Sequence, residues 1–182
     1  MADKIYTFDD AKTIAKLLKT KKKAAVVETD TVMGIISLNA DLIYQIKRRP
    51  QHKRLITFVS DIDQIKSLTS DERRIIKPYW PGPLTIVKDS VSYRIPDHKQ
   101  LLELIKLTGP IFSSSANISN CDPVKDINEA LEVFAQNEDR LIFVEGKNLT
   151  NKPSTIVNLD ERKILREGAI DGKEIIKKLW ES

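Results

Sequence analysis

Apolar positions along this chain recur at two spacings, and the switches between them mark its elements. Phe8, Ala11, Ile14, Ala15 and Leu18 repeat at helical period. Thr7-Phe8-Asp9-Asp10 reads as the capping box in front of them, and Lys19 and Lys21 to Lys23 close the helix where positive charge suits its C-terminal dipole. Ala24–Val27 is a short strand of the buried type. After the Thr29-Asp30-Thr31 turn, Val32–Leu38 reads as another. Asp41–Lys47 is helical and Leu55–Val59 a strand. Ser60 caps a helix through Leu68 with Asp63 as box partner, and Ser70–Lys77 is a helix ended by Pro78.

Pro81-Gly82-Pro83 imposes a rigid turn before the strand Leu84–Lys88. Tyr93–Ile95 is a short strand, and Lys99–Leu107 a helix stopped by Gly109-Pro110. Ile111–Ser113 is a strand that feeds a serine cluster. Asp126–Phe134 is a helix with an Asp126/Glu129 box. Leu141–Val144, Thr155–Leu159 and Lys163–Leu165 are strands, and Asp171–Trp180 is the closing helix. This alternation of strands and helices predicts an α/β fold with a mixed, twisted sheet and flanking helices. Short strands and irregular connections count against a regular doubly wound sheet.

Composition narrows the class. At 182 residues the chain is most simply one domain, long enough to bury a core without staples. A single cysteine, Cys121, excludes an internal disulfide and suits a reducing cytoplasm. The apolar runs fall far short of the roughly 20 residues that span a bilayer. Met-Ala-Asp-Lys does not open a signal peptide, so the expected location is cytoplasmic, away from membranes. Net charge of +4 and a pI near 9.0 favour anionic partners such as nucleotides, RNA or acidic proteins, although most lysines read as solvated surface.

Several chemistries lose their required parts. There is no Gly-x-x-x-x-Gly-Lys-Ser/Thr loop, no Gly-x-Gly-x-x-Gly after a strand and no Gly-x-Ser-x-Gly elbow. His52 and His98 stand apart, without neighbours at metal-ligand spacing, so no metal site is expected from the side chains.

What remains is electrostatic. Lys47, Arg49 and Lys53 lie around Pro50, and three cations held close are best tolerated with an anion between them; the other reading is a solvated basic patch. Ser113-Ser114-Ser115-Ala116-Asn117 follows an apolar strand. Its hydroxyls and freed N–H groups could cradle phosphate or carboxylate, or simply form a turn and cap. Thr29-Asp30-Thr31, with Gly34 beyond, is a ligand loop or a plain hairpin turn. Arg94 before Pro96 and Arg166 before Gly168 are surface ion-pair residues or arginines aimed into a cleft.

Jointly these segments resemble one family. Thr29-Asp30-Thr31-Val32-Met33-Gly34, Lys47-Arg48-Arg49-Pro50, Trp80-Pro81-Gly82-Pro83-Leu84-Thr85, Arg94-Ile95-Pro96, Ser115-Ala116-Asn117-Ile118-Ser119, Ser154-Thr155-Ile156-Val157 and Arg166-Glu167-Gly168 follow the order found in the YrdC-like threonylcarbamoyl-AMP synthases. The resemblance covers roughly residues 8–170. It implies a YrdC-like, DHBP-synthase-like α/β fold around an open, basic, concave face. It also implies a reaction in which L-threonine, bicarbonate and ATP give threonylcarbamoyl-AMP and pyrophosphate, with Mg2+ on the pyrophosphate oxygens. The product would serve a transferase complex that modifies adenosine 37 of tRNA.

Carried over by motif, Lys47 and Arg49 would be catalytic and, with Lys53, would grip the ATP phosphates. Ser113, Ser115, Asn117 and Arg166 would meet the nucleotide. Thr31, Arg94, Ser115 and Thr155 would hold threonine or bicarbonate, with Arg94 taking the carboxylate. Three positions depart from the pattern: Glu28 stands for the usual proline, Met33 for an aromatic and Asn120 for a glycine. Asn tolerates positive φ, so the last is a mild change. The second C-terminal domain of longer members is not expected here. Two other readings stay open: a non-catalytic module binding tRNA or double-stranded RNA, and a carbamoyl-adenylate enzyme of hydrogenase maturation, which the want of zinc-finger and acylphosphatase domains disfavours.

Overall fold

The structure, a computed structural model, describes residues 5–20, 22–146, 150 and 152–180. Lys21 and the opening Met-Ala-Asp-Lys lie outside them. Among the described residues, ten strands form one mixed sheet: β1 (Ile5–Thr7), β2 (Ala24–Val27), β3 (Gly34–Ser37), β4 (Ile56–Phe58), β5 (Leu84–Lys88), β6 (Val91–Arg94), β7 (Ile111–Ser115), β8 (Leu141–Glu145), β9 (Thr155–Asn158) and β10 (Lys163–Arg166). Their spatial order is β1-β8-β2-β3-β7-β4-β6-β5-β9-β10. The α-helices that flank it are α1 (Ala11–Thr20), α2 (Ala40–Lys47), α3 (Ser70–Ile76), α4 (Lys99–Thr108), α5 (Ile127–Val133) and α6 (Gly172–Trp180). No helix among the described residues is long and apolar enough to cross a membrane.

The apolar runs of β2, β3 and β8 are continuous because both faces of those strands are covered. Ala24, Val26, Ile35 and Phe143 pack under α2 and α5, while their neighbours Ala25, Val27, Ile36 and Ile142 pack under α1 and α4. Farther along the sheet, Leu84, Ile86 and Val157 meet α3 and α6. Period two then sends Val87, Ser92 and Ile156 to the opposite face, which no helix closes. That uncovered half-sheet is the floor of the site.

Most predicted elements appear within a residue or two of the expected bounds. The segment after Ser60 differs. Asp61, not Ser60, is the cap, Gln64 rather than Asp63 is its box partner, and only one 3-10 turn forms over Ile62–Gln64. Arg73 explains the early stop: its guanidinium takes the carbonyls of Ile62 at 3.0 Å, Ile65 at 2.5 Å and Leu68 at 3.3 Å, which a longer helix would need for itself. Lys77-Pro78-Tyr79 adds a 3-10 turn after α3, and the Trp80–Pro81 bond is cis. Gly109, at φ 86, ends α4. His98 caps the start of that helix, its Nδ1 accepting from the Leu101 amide at 3.1 Å.

Candidate active site

Over the uncovered half-sheet lies a cavity of about 710 Å³. Ile56, Phe58, Val87 and Ile156 give it an apolar floor, Thr29, Thr31 and Ser113 to Ser115 form a hydroxyl-rich wall, and Arg49, His52, Arg54, Arg94 and Arg166 reach it from several sides. Among the described residues, none that lines it is an Asp or Glu. The hollow therefore suits an anion with an apolar or aromatic portion.

The Lys47-to-Lys53 segment divides into two roles. Lys47 ends α2, and Arg48 leaves the helix through a left-handed turn at φ 50. This sends the Lys47 side chain under the loop that follows β7, where it is fully buried. Its ammonium donates to the Ser115 carbonyl, to the Asn117 carbonyl at 2.7 Å and to Asn117 Oδ1 at 2.9 Å. All three donors are used, and Lys47 is not among the cavity walls. In this arrangement the lysine ties the loop. Burial, and then the nearby Arg49 cation, push its pKa down to about 7; the three oxygens oppose that by favouring the ammonium form.

Asn117 belongs to the same knot. Its Oδ1 also accepts from Ser115 Oγ at 2.6 Å, and its Nδ2 donates to the carbonyls of Ile118 at 2.9 Å and Cys121 at 2.8 Å. With its amide spent on the turn, Asn117 does not line the cavity; Ser113 and Ser115 do. Lys53 lies outside the lining as well, its Nζ donating to Asn120 Oδ1 at 3.0 Å. Asn120 sits at φ 70, a conformation Asn accepts in place of glycine. Arg49 faces the hollow, held by hydrogen bonds to the carbonyls of Lys53 at 3.2 Å and Arg54 at 2.9 Å, and burial lowers its pKa.

On the opposite wall, Thr29 Oγ1 meets Thr31 Oγ1 at 3.1 Å and donates to the Val32 carbonyl at 2.8 Å, which sets the turn. Gly34 leaves room for it: a Cβ there would stand 3.2 Å from Thr29 Cγ2. Arg94 is 3% exposed. It donates to Thr31 Oγ1 and to the Gly82 carbonyl, each at 3.0 Å, and its Nη2 contacts Asp30 Oδ1 at 2.6 Å. That ion pair is close but poorly aligned, for neither Asp30 oxygen nor Nη2 makes a hydrogen bond among the described residues. Arg94 thus reaches the cavity with its charge already countered by Asp30. A substrate carboxylate would have to compete for it. Burial lowers the Arg94 pKa, and Asp30 opposes the shift.

The third wall comes from β9 and β10. Thr155 is fully buried, donating to the Ile170 carbonyl and accepting from the amides of Gly168 at 3.0 Å and Ile170 at 3.2 Å. It fastens the Arg166-Glu167-Gly168 turn and does not line the cavity. Ser154 lines it instead, and Arg166 donates to the Ser154 carbonyl at 2.8 and 3.0 Å. A bulge between Ile164 and Arg166 lets the consecutive residues Leu165 and Arg166 both reach the hollow. Burial lowers the Arg166 pKa, and the Arg94 cation lowers it further, which marks two guanidiniums converging on one space.

His52, Arg54 and Ser154 are lining residues that reading by residue type passes over. Strand alternation carries the missing signal for two of them. Arg54, Ile56 and Phe58 share one face, as do Ser154 and Ile156, so Ser154 rather than Thr155 faces the cavity.

A family model described as telomere recombination, for Sua5, YciO and YrdC proteins, matches residues 16–168. The uncharacterised MG259 protein of Mycoplasma genitalium is 31% identical over 171 residues, a match taking in 92% of this chain and 37% of that protein. This chain spans about a third of the length of the Mycoplasma relatives it matches. A Methanocaldococcus jannaschii protein, provisionally named a threonylcarbamoyl-AMP synthase, is 32% identical over 195 residues, covering 92% of each chain. Among solved structures, Pyrococcus abyssi Sua5 complexed with L-threonine superposes with a TM-score of 0.84 at 25% identity, over 97% of this chain and 61% of that one. Matched by the model over most of its length, and by a near full-length relative, the chain belongs to the Sua5/YciO/YrdC family.

Proposed function

We propose that this protein is a threonylcarbamoyl-AMP synthase. The observation that carries the reading is the cavity itself, which combines arginines, hydroxyls and an apolar floor with no carboxylate and no nucleophile–base pair. Such a site can do little covalent chemistry of its own, but it can hold a nucleotide and a small acid in register. The relatives named for this activity, and the threonine-bound Sua5, support the same conclusion.

In the proposed reaction the amine of L-threonine attacks the carbon of bicarbonate-derived carbon dioxide, forming the N–C bond of a carbamate as a proton leaves to solvent. A carbamate oxygen then attacks the α-phosphorus of ATP. The new O–P bond forms as the bond to pyrophosphate breaks, and pyrophosphate departs in line. Arg49, Arg54 and Arg166 neutralise the phosphate oxygens, while Ser113 and Ser115 orient the nucleotide or carbamate. Thr31 and Arg94 receive threonine, with Asp30 holding Arg94 in place beforehand. Lys47, Asn117 and Thr155 position the loops that present these groups. The product would pass to a separate transferase that modifies adenosine 37 of tRNA, in the cytoplasm.

The magnesium expected with ATP finds no protein carboxylate in the lining, and no cluster of three or more His, Cys, Asp or Glu able to hold a metal occurs among the described residues. The side chains present do not fit a protein-held Mg2+, and no step above runs through one.

The test is a labelled-bicarbonate assay with ATP and L-threonine. Label should enter an adenylate only when threonine is present. Absence of turnover together with tight, salt-sensitive RNA binding would favour the binding-module reading instead.

A further inference from the structure

Magnesium is ordinarily bound through oxygen ligands, with one or two carboxylates beside the substrate phosphates. This cavity offers the opposite environment. Arg49, Arg54 and Arg166 face it, and the acids close by are engaged elsewhere. Asp30 is held against Arg94 and belongs to a separate hollow, and Glu167 accepts from the Gly172 amide at 3.1 Å. A divalent cation entering alone would meet only positive charge. A polyphosphate entering alone would meet Arg49, Arg54 and Arg166 along the lining of one hollow.

We infer that this site binds its polyphosphate as the metal-free anion, with the arginines taking the positions around the phosphate oxygens that a divalent ion would otherwise fill. The inference rests on the synthase reading, which makes pyrophosphate the leaving group. It reverses the usual part of magnesium. The ion competes with the protein for pyrophosphate, because chelation removes two of the negative charges that the arginines grip. Magnesium therefore promotes release of the product from this protein instead of anchoring it.

Calorimetric titration of the whole chain with sodium pyrophosphate, once in EDTA and once in excess Mg2+, reads this directly. Binding is expected in EDTA and should be at least about tenfold weaker with Mg2+. Arg54→Gln changes an exposed side chain, so its melting temperature should stay near that of the parent while its affinity in EDTA falls about tenfold. Binding seen only with Mg2+ would overturn the inference and leave the synthase reading standing. No binding in either condition would remove the anion site and the synthase reading with it. An Arg54→Gln protein that binds as tightly as the parent would overturn the part given to the arginines.

Discussion

Lys47 and Arg49 are two residues apart in one basic segment, yet the fold uses them in opposite ways. Lys47 is sealed beneath the serine loop with every donor satisfied by an oxygen of Ser115 or Asn117. Arg49 hangs from two backbone carbonyls at the cavity edge and keeps part of its guanidinium for a ligand. A cation that shapes a loop and a cation that faces the cavity can therefore share a motif, and only the position of their acceptors tells them apart.

The largest effect should follow Lys47→Met. Three oxygens lose their donor in a buried corner, which should cost about 3 kcal/mol in urea unfolding. Displacing the serine loop should cut turnover roughly a hundredfold. A variant with full stability and lost turnover would break the comparison, because Lys47 would then be acting on the ligand itself.

The pH dependence of stability comes next. Lys47 is lowered to about 7 in the fold from an ordinary 10.5. Between those values the unfolded chain holds a proton that the folded chain has shed. Its contribution therefore makes stability rise with pH across that window, and the destabilisation is fully present below pH 7. From pH 7 to 9 the gain should not exceed about 2 kcal/mol, since the three oxygens favour the ammonium. Urea melts should show this rise in the parent and not in Lys47→Met; equal slopes would remove Lys47 as its source.

Arg49→Ala should reduce turnover at least about tenfold, some 1.4 kcal/mol of transition-state stabilisation, while stability falls by only about 1 kcal/mol. Should it unfold as readily as Lys47→Met, the two cations would not have separate roles. The smallest change is expected from Asn120→Gly. At φ 70 glycine is as comfortable as Asn, so stability should move by no more than a few tenths of a kcal/mol even though the exposed Lys53 bond is lost. Asn120→Val, forced into the same conformation, should cost about 1–3 kcal/mol.

Legibility in the sequence follows the range of the forces involved. The covered strands β2, β3 and β8 announce themselves through unbroken apolar runs, and α4 through its period and its closing Gly109. β1 does not: three residues at the sheet's edge, with Ile5 and Thr7 exposed, carry too little pattern. The short turn after Ser60 is hidden because the residue that ends it, Arg73, comes from the next helix. The motifs located the cavity, but not which of their members face it. Lys47 is buried by acceptors 68 and 70 positions away, a relation that no local spacing expresses. For Ser154 and Thr155 the alternation of β9 would have sufficed.

The bulge in β10 reaches beyond the cavity. β10 is the outermost strand on its side of the sheet, where a straight ribbon would invite a second molecule to add its own backbone in continuation. The irregularity at Ile164–Arg166 breaks the regular ladder, and Lys163 and Arg166 add charge to the rim. A single irregularity thus brings an arginine to the cavity and discourages edge-to-edge aggregation, so a substitution that straightened this strand would be expected to lower solubility together with activity.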